Sequence, residues 1–149
     1  MTAVTPQQRA AQSASALLEN DTASQHLGMS LISVAPGEAV LRMQVQDFML
    51  NGHGTCHGGF LFTFADSAFA VACNSYNTRS VAQQNQITFI APCPSQTVLT
   101  AHAVETARSG RSGTYDVTVT NEAGAIIALM RGLCRDIKGQ HFTERDGET

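Results

Sequence analysis

Apolar residues change their rhythm along the chain, and each change marks an element. Residues 1–25 read as one helix: Pro6 suits a first turn, and Ala10, Ala14, Leu17 and Leu18 fall roughly on one side of the run Arg9–Asn20. The period then shortens. Leu31–Val34 and Ala39–Val45 read as two strands around the turn Ala35-Pro36-Gly37-Glu38, with Ala39, Leu41, Met43 and Val45 on one face. Phe48–His57 is a loop, punctuated by Asn51-Gly52 and by Gly54 and Gly58. Four further strands are predicted at 81–90, 97–106, 114–120 and 125–137. In the third of these, Tyr115, Val117 and Val119 oppose Asp116, Thr118 and Thr120, the alternation of a half-buried antiparallel strand. Ser109–Gly113 and Asn121–Gly124 connect them as hairpins, and the polar tail 138–149 is expected to fray.

Between the loop and these strands lies a segment of another kind. From Gly58 to about Tyr76 the chain is Phe60, Leu61, Phe62, Phe64, Ala65, Ala68, Phe69, Ala70, Val71, Ala72 and Cys73 with almost no polar stripe. It is too long for a strand, and a helix apolar all round is buried all round. Strands grouped about one such helix indicate an α+β domain in which a curved antiparallel sheet wraps a long central helix. Any helix surface the sheet leaves bare calls for a second subunit.

A chain of 149 residues accommodates a single domain, here taken as residues 1–149. The net charge of −3 and the lack of a basic block argue against nucleic acid as the main ligand. No apolar run reaches the roughly 18 residues a membrane span requires, and the beginning of the chain does not resemble an export signal. Cys56, Cys73, Cys93 and Cys134 form no CxxC pair, so they read as reduced thiols of a cytoplasmic protein.

Asp66 is the only charged residue between Gly58 and Tyr76. An ionised carboxylate on a buried helix is costly unless paired, which suits a catalytic acid or base. An aspartate that merely hydrogen-bonds neighbouring amides or Ser67 fits the same spacing. His57-Gly58-Gly59 opens the helix, where backbone N–H groups lack partners and carry the positive end of the dipole. Such an end can hold a carbonyl oxygen that becomes an oxyanion; tight packing at the helix entry would equally account for two glycines.

Taken together, Leu50-Asn51-Gly52-His53, His57-Gly58-Gly59 and Asp66-Ser67-Ala68 resemble the signature of the PaaI-type phenylacetyl-CoA thioesterases, in the hotdog-fold 4-hydroxybenzoyl-CoA thioesterase superfamily. The similarity continues through Ile87-Thr88-Phe89 with Pro92, and through Gly113–Asp116 to Arg131-Gly132, covering roughly residues 15–138. It implies a single hotdog domain hydrolysing phenylacetyl-CoA or a ring-hydroxylated relative without metal or bound cofactor. It assigns carbonyl polarisation to the backbone of Gly58 and Gly59 with help from Asn51, and loop anchoring to His57. Asp66 becomes nucleophile or general base. Where some relatives carry a water-positioning serine at the start of the next strand, this chain has Ala82, with Ser80 and Gln83 nearby. Coenzyme A contacts are implied at Phe89, Ile90, Ala91 and Pro92 and on the hairpin Arg108, Ser109, Gly110, Arg111 and Ser112, with Arg135 a further cation for phosphate.

Helix arithmetic makes a separate point. Gly59 and Asp66 are seven residues apart, on nearly the same face but about 10 Å apart along the axis. A carbonyl held at one would barely reach a water held at the other. Two antiparallel helices from two subunits would close that gap, in keeping with the family's sites at dimer interfaces; the expected assembly is a homo-oligomer, a dimer of dimers. Four rivals are weaker. His53, Cys56, His57 and Asp66 as a zinc site would need one loop to act as a helix face. Cys56 as a nucleophile with His57 as base leaves Asp66 unexplained. A non-catalytic acyl-CoA binder has no need of the carboxylate, and a hotdog dehydratase uses a different, histidine-based constellation. A medium-chain or broad acyl-CoA substrate is the alternative to an aryl one.

Overall fold

A computed structural model describes residues 3–144. Its elements run α1 (Pro6–Glu19), α2 (Thr22–His26), β1 (Ser30–Ala35), β2 (Glu38–Gln44), α3 (Gly58–Cys73), β3 (Ser80–Phe89), β4 (Val98–Ser109), β5 (Ser112–Thr120) and β6 (Ile126–Asp136). The six strands form one antiparallel sheet in the order β1-β2-β4-β5-β6-β3. β3 follows α3 in sequence yet lies at the far edge beside β6, so the helix crosses the concave face between the two outer ends of the sheet.

Alternation set the inner faces of β2 and β5 as expected. Ala39, Leu41, Met43 and Val45 from the β2 region and Tyr115, Val117 and Val119 from β5 are all buried. They pack around Leu61, Phe64, Ala65, Ala68 and Phe69 of α3. One close approach explains a strand glycine: a Cβ at Gly132 on β6 would lie 2.8–2.9 Å from three carbons of the Phe69 ring. The β4–β5 hairpin is tighter than the loop 109–113 suggested. Ser109 pairs with Ser112, and the two-residue turn begins on Gly110 at φ +57°.

Three expectations are revised. The helix expected over residues 1–25 is two helices, because Asn20 caps the end of α1 and the Asp21 side chain accepts the Ser24 N–H to start α2. α3 ends at Cys73 rather than near Tyr76. Asn74 stops it by donating Nδ2 to the carbonyls of Ala70 and Ser80 while its Oδ1 accepts the Ser80 N–H, which ties the helix end to the start of β3. The tail does not fray over its described part. His141 and Phe142 donate backbone N–H groups to Asn77 Oδ1, and Glu144 pairs with Arg9 on α1. The remainder of the expected frayed segment lies outside the described residues.

α3 is also less enclosed than an all-apolar helix suggested. Gly59, Phe62, Thr63, Asp66 and Ala70 stay partly open to solvent, one continuous stripe along the helix. β3, beside it, carries the exposed side chains of Val81 and Phe89, and among the described residues it pairs with a strand on one side only.

Candidate active site

The loop Leu50–His57 is built around Asn51. Its Oδ1 accepts the backbone N–H groups of His53 (2.9 Å) and Thr55 (3.2 Å), and the Gly54 N–H bonds its carbonyl. With the oxygen occupied by the loop, the amide nitrogen is the end left to face a ligand. The His57 N–H bonds Met49 O (2.7 Å) and the Cys56 N–H bonds Cys93 O (2.8 Å), which seats the loop against the segment after β3.

His57 is the N-cap of α3, and its ring nitrogen Nδ1 accepts the Gly59 N–H at 2.9 Å. That divides the roles of the two glycines. The Gly59 amide is taken by His57, whereas among the described residues no acceptor meets the Gly58 N–H. A Cβ at Gly58 would lie 2.7 Å from Cζ of Phe89, so a side chain there would displace that ring. The end of β3 therefore rests on the start of α3. Between them opens a cavity of about 380 Å³ whose lining includes Asn51, Thr55, Gly58, Leu61 and the run Phe89–Pro92. Asn51 and Gly58 thus line the same cavity.

Asp66 stands elsewhere. It lies on the open stripe of α3, eight residues and about 12 Å along the axis from Gly58, and does not line this cavity. Burial, chiefly, raises its carboxyl above the ordinary carboxylate range, and the charge of Asp21 adds to that; a hydrogen bond from Asn85 Nδ2 to its Oδ1 at 2.6 Å works in the other direction. A carboxyl raised in this way is a stronger base once ionised. Sequence reasoning missed Asn85. It also missed the chain Asp21–Ser24–Ser67, with Ser24 Oγ 2.6 Å from Asp21 Oδ2 and 2.9 Å from Ser67 Oγ, which braces α2 against α3 beside Asp66.

The arginines gather at the other end of the molecule. Arg108 bonds Asp136 (2.8 Å) and Glu105 (3.2 Å) and stacks over the Tyr76 ring at 5.1 Å, so its guanidinium is already committed within the fold. Arg111 and Arg135 are exposed; among the described residues the Arg111 guanidinium bonds the Asp136 carbonyl alone, at 3.3–3.4 Å. Arg108 Nη2 also reaches Cys73 O at 3.4 Å, which sets Arg108, Ser109, Gly110, Arg111 and Ser112 near the C-terminal end of α3. Within one chain, then, Asn51, Gly58 and Phe89–Pro92 come together, while Asp66 and the hairpin do not join them. Cys56 lies against Cys93 and Cys73 against Cys134, all four as buried free thiols.

One antiparallel sheet curled around one central helix is the hotdog fold, and a helix start facing an acyl-sized cavity is the setting of a thioester hydrolase. The description "Thioesterase superfamily" matches residues 53–128. The chain is 42% identical over 131 residues to acyl-coenzyme A thioesterase PaaI of Escherichia coli, covering 88% of this chain and 94% of that one. The solved structure of the E. coli PaaI protein, from the phenylacetic acid degradation operon, superimposes with a TM-score of 0.90 at 40% identity over 91% of this chain and 99% of that one. A mutant of the phenylacetic acid degradation protein PaaI of Thermus thermophilus gives 0.76 at 38% identity, over 78% and 100%. The chain belongs to the thioesterase superfamily, among its PaaI-type members, and it is an enzyme.

Proposed function

We propose that the protein hydrolyses the thioester of phenylacetyl-CoA or a ring-hydroxylated phenylacetyl-CoA, with Asp66 as general base. The observation that carries this reading is the Asp66 carboxyl, its proton affinity raised by burial, on the same helix whose first amide faces an acyl-sized cavity. The names of the relatives support the acyl-CoA class. The carbonyl oxygen accepts from the Gly58 N–H and the Asn51 amide. Asp66 takes a proton from water as the water oxygen bonds the carbonyl carbon. Collapse of the oxyanion breaks the C–S bond, and the proton passes from Asp66 to the coenzyme A thiolate, leaving the free acid. Every step is metal-free, and coenzyme A enters as part of the substrate.

The site is completed by a second copy of the chain. The unpaired edge of β3 and the open stripe of α3 lie side by side, and a two-fold pairing of β3 edges would cover both. The two α3 helices would then run antiparallel, bringing Asp66 and the Arg111 hairpin of one chain towards the Gly58 end of the other. Exposed Arg111 and Arg135 are the cations open to the coenzyme A phosphates. Leu61, Phe89 and Ile90 would also pack a medium aliphatic chain, which is the second reading of the acyl group.

The test is thiol release from a panel of aryl and aliphatic acyl-CoAs by wild type and Asp66→Asn. Turnover of the best aryl substrate should fall by about 10²–10⁴-fold in the folded variant. Retention of more than about a tenth would make Asp66 structural.

A further inference from the structure

The inner face of β3 carries a polar residue where an apolar one would be expected. Asn85 alternates with Ile87 and Phe89 and faces α3 with them, while a register shift between Ala82 and Gln84 turns Val81 to the other side. There its Nδ2 donates to Asp66 Oδ1 at 2.6 Å. This contact fixes which way the amide points, because the flipped amide would set its oxygen against a carboxylate oxygen. Asn85 Oδ1 is then left buried, and among the described residues no donor reaches it. No partner is described for Asp66 Oδ2 either, although the carboxylate lies on the open stripe of α3. Two acceptors, a buried neutral one and an anionic one on the open stripe of α3, therefore sit on adjoining groups.

We infer that Asn85 and Asp66 together hold the hydrolytic water, the Asn85 amide oxygen accepting one of its hydrogens and the Asp66 carboxylate the other. The inference rests on the reading of Asp66 as general base. A water that donates both hydrogens to acceptors turns its lone pairs away from them, toward the thioester carbonyl. The amide oxygen is too weak a base to take the proton, so the proton that leaves as the new C–O bond forms goes to Asp66. Meanwhile the Nδ2 contact keeps the carboxylate from rotating, which is the positioning a near-attack arrangement needs. An aspartate at position 85 would put like charges in contact, and a leucine would leave the water held by one acceptor.

The experiment compares wild type, Asn85→Leu, Asn85→Ser and Asp66→Asn on phenylacetyl-CoA across pH, with fold and assembly size checked for each. In Asn85→Leu, kcat should fall about 10²-fold with KM changed less than about threefold, because the acceptor acts on the water rather than on substrate binding. Its acid limb should move to higher pH, since Asp66 loses a donor that favours its ionised form. Asn85→Ser, whose hydroxyl can still accept, should recover at least about tenfold in kcat over the leucine variant. A well-folded Asn85→Leu with kcat at its pH optimum within about threefold of wild type overturns the inference, and a shifted acid limb alone would not save it. An inactive Asp66→Asn beside an unimpaired Asn85→Leu sinks only the role of Asn85. An active Asp66→Asn would instead sink the proposed function on which it rests.

Discussion

Mixing two crippled variants tests the shared site directly. Gly58 and Asp66 are eight residues apart on one helix, about 12 Å along its axis, whereas reacting atoms must come within about 3–3.5 Å. A site taking Asn51 and Gly58 from one chain and Asp66 from its partner removes that gap. On the proposed mechanism Asn51→Ala withdraws an oxyanion donor and should cost about 10²–10³-fold in turnover; Asp66→Asn should cost about 10²–10⁴-fold. Each homodimer then retains no more than about 1% of wild-type activity. In a mixed dimer one site collects both defects and the other collects neither. At equal proportions and full exchange about half the dimers are mixed, each with one sound site, so the mixture should regain about a quarter of wild-type activity. The assay is thiol release from phenylacetyl-CoA before and after exchange, with exchange verified by native mass spectrometry of mass-tagged subunits. Exchange without recovery would refute the reasoning, because sites built within single chains would each keep one defect.

Two further outcomes follow from local geometry. Gly132→Ala forces a methyl into the buried Phe69 ring at 2.8–2.9 Å and should cost about 1–3 kcal/mol, seen as a Tm lowered by about 2–12 °C and partly restored by adding Phe69→Leu; an unchanged Tm would mean the ring moves freely. Because the folded chain holds the Asp66 proton more tightly than the unfolded chain, the stability tied to it is full below about pH 4 and is lost as pH rises through the raised folded value. Asp66→Asn should therefore melt higher than wild type at pH 7 and coincide with it in acid, and a variant less stable at pH 7 would contradict the assigned cause.

The parts of the fold legible in the sequence were those whose burial is decided by neighbours along the chain. Ala39 to Val45 and Tyr115 to Val119 alternate because one face of each strand meets α3, and the unbroken apolar run after Gly58 could hardly be anything but the central helix. The break between α1 and α2 was also within reach, since Asn20-Asp21-Thr22 is a run of capping residues that helix-forming neighbours obscured. Asn85 was not. It alternates with Ile87 and Phe89, so counting places it on their face, but its hydrogen bond to Asp66, nineteen residues back, leaves no local sign in the sequence. The folded-back tail was hidden for a different reason: its anchors, Asn74, Asn77 and Arg9, lie more than sixty residues away in sequence. Of the proposed site, the glycines, Asn51 and Asp66 are named by the motif alone. The division of labour in which His57 takes the Gly59 amide and leaves Gly58 free required coordinates.

The four cysteines, set in two inward-facing pairs, have a consequence for measurement. Cys56, Cys73, Cys93 and Cys134 are each no more than 5% exposed, so a disulfide-exchange dye added to follow coenzyme A release meets almost no competing sulfur on the native enzyme. Once the substrate is exhausted, the same dye turns into a clock for the protein itself. Any further slow colour must come from molecules that have opened, each contributing up to four thiols. Cys56 and Cys93 sit where the loop Leu50–His57 meets the segment after β3, and Cys73 and Cys134 at the far end of α3. Labelling order between the pairs would therefore tell which end of the central helix loosens first.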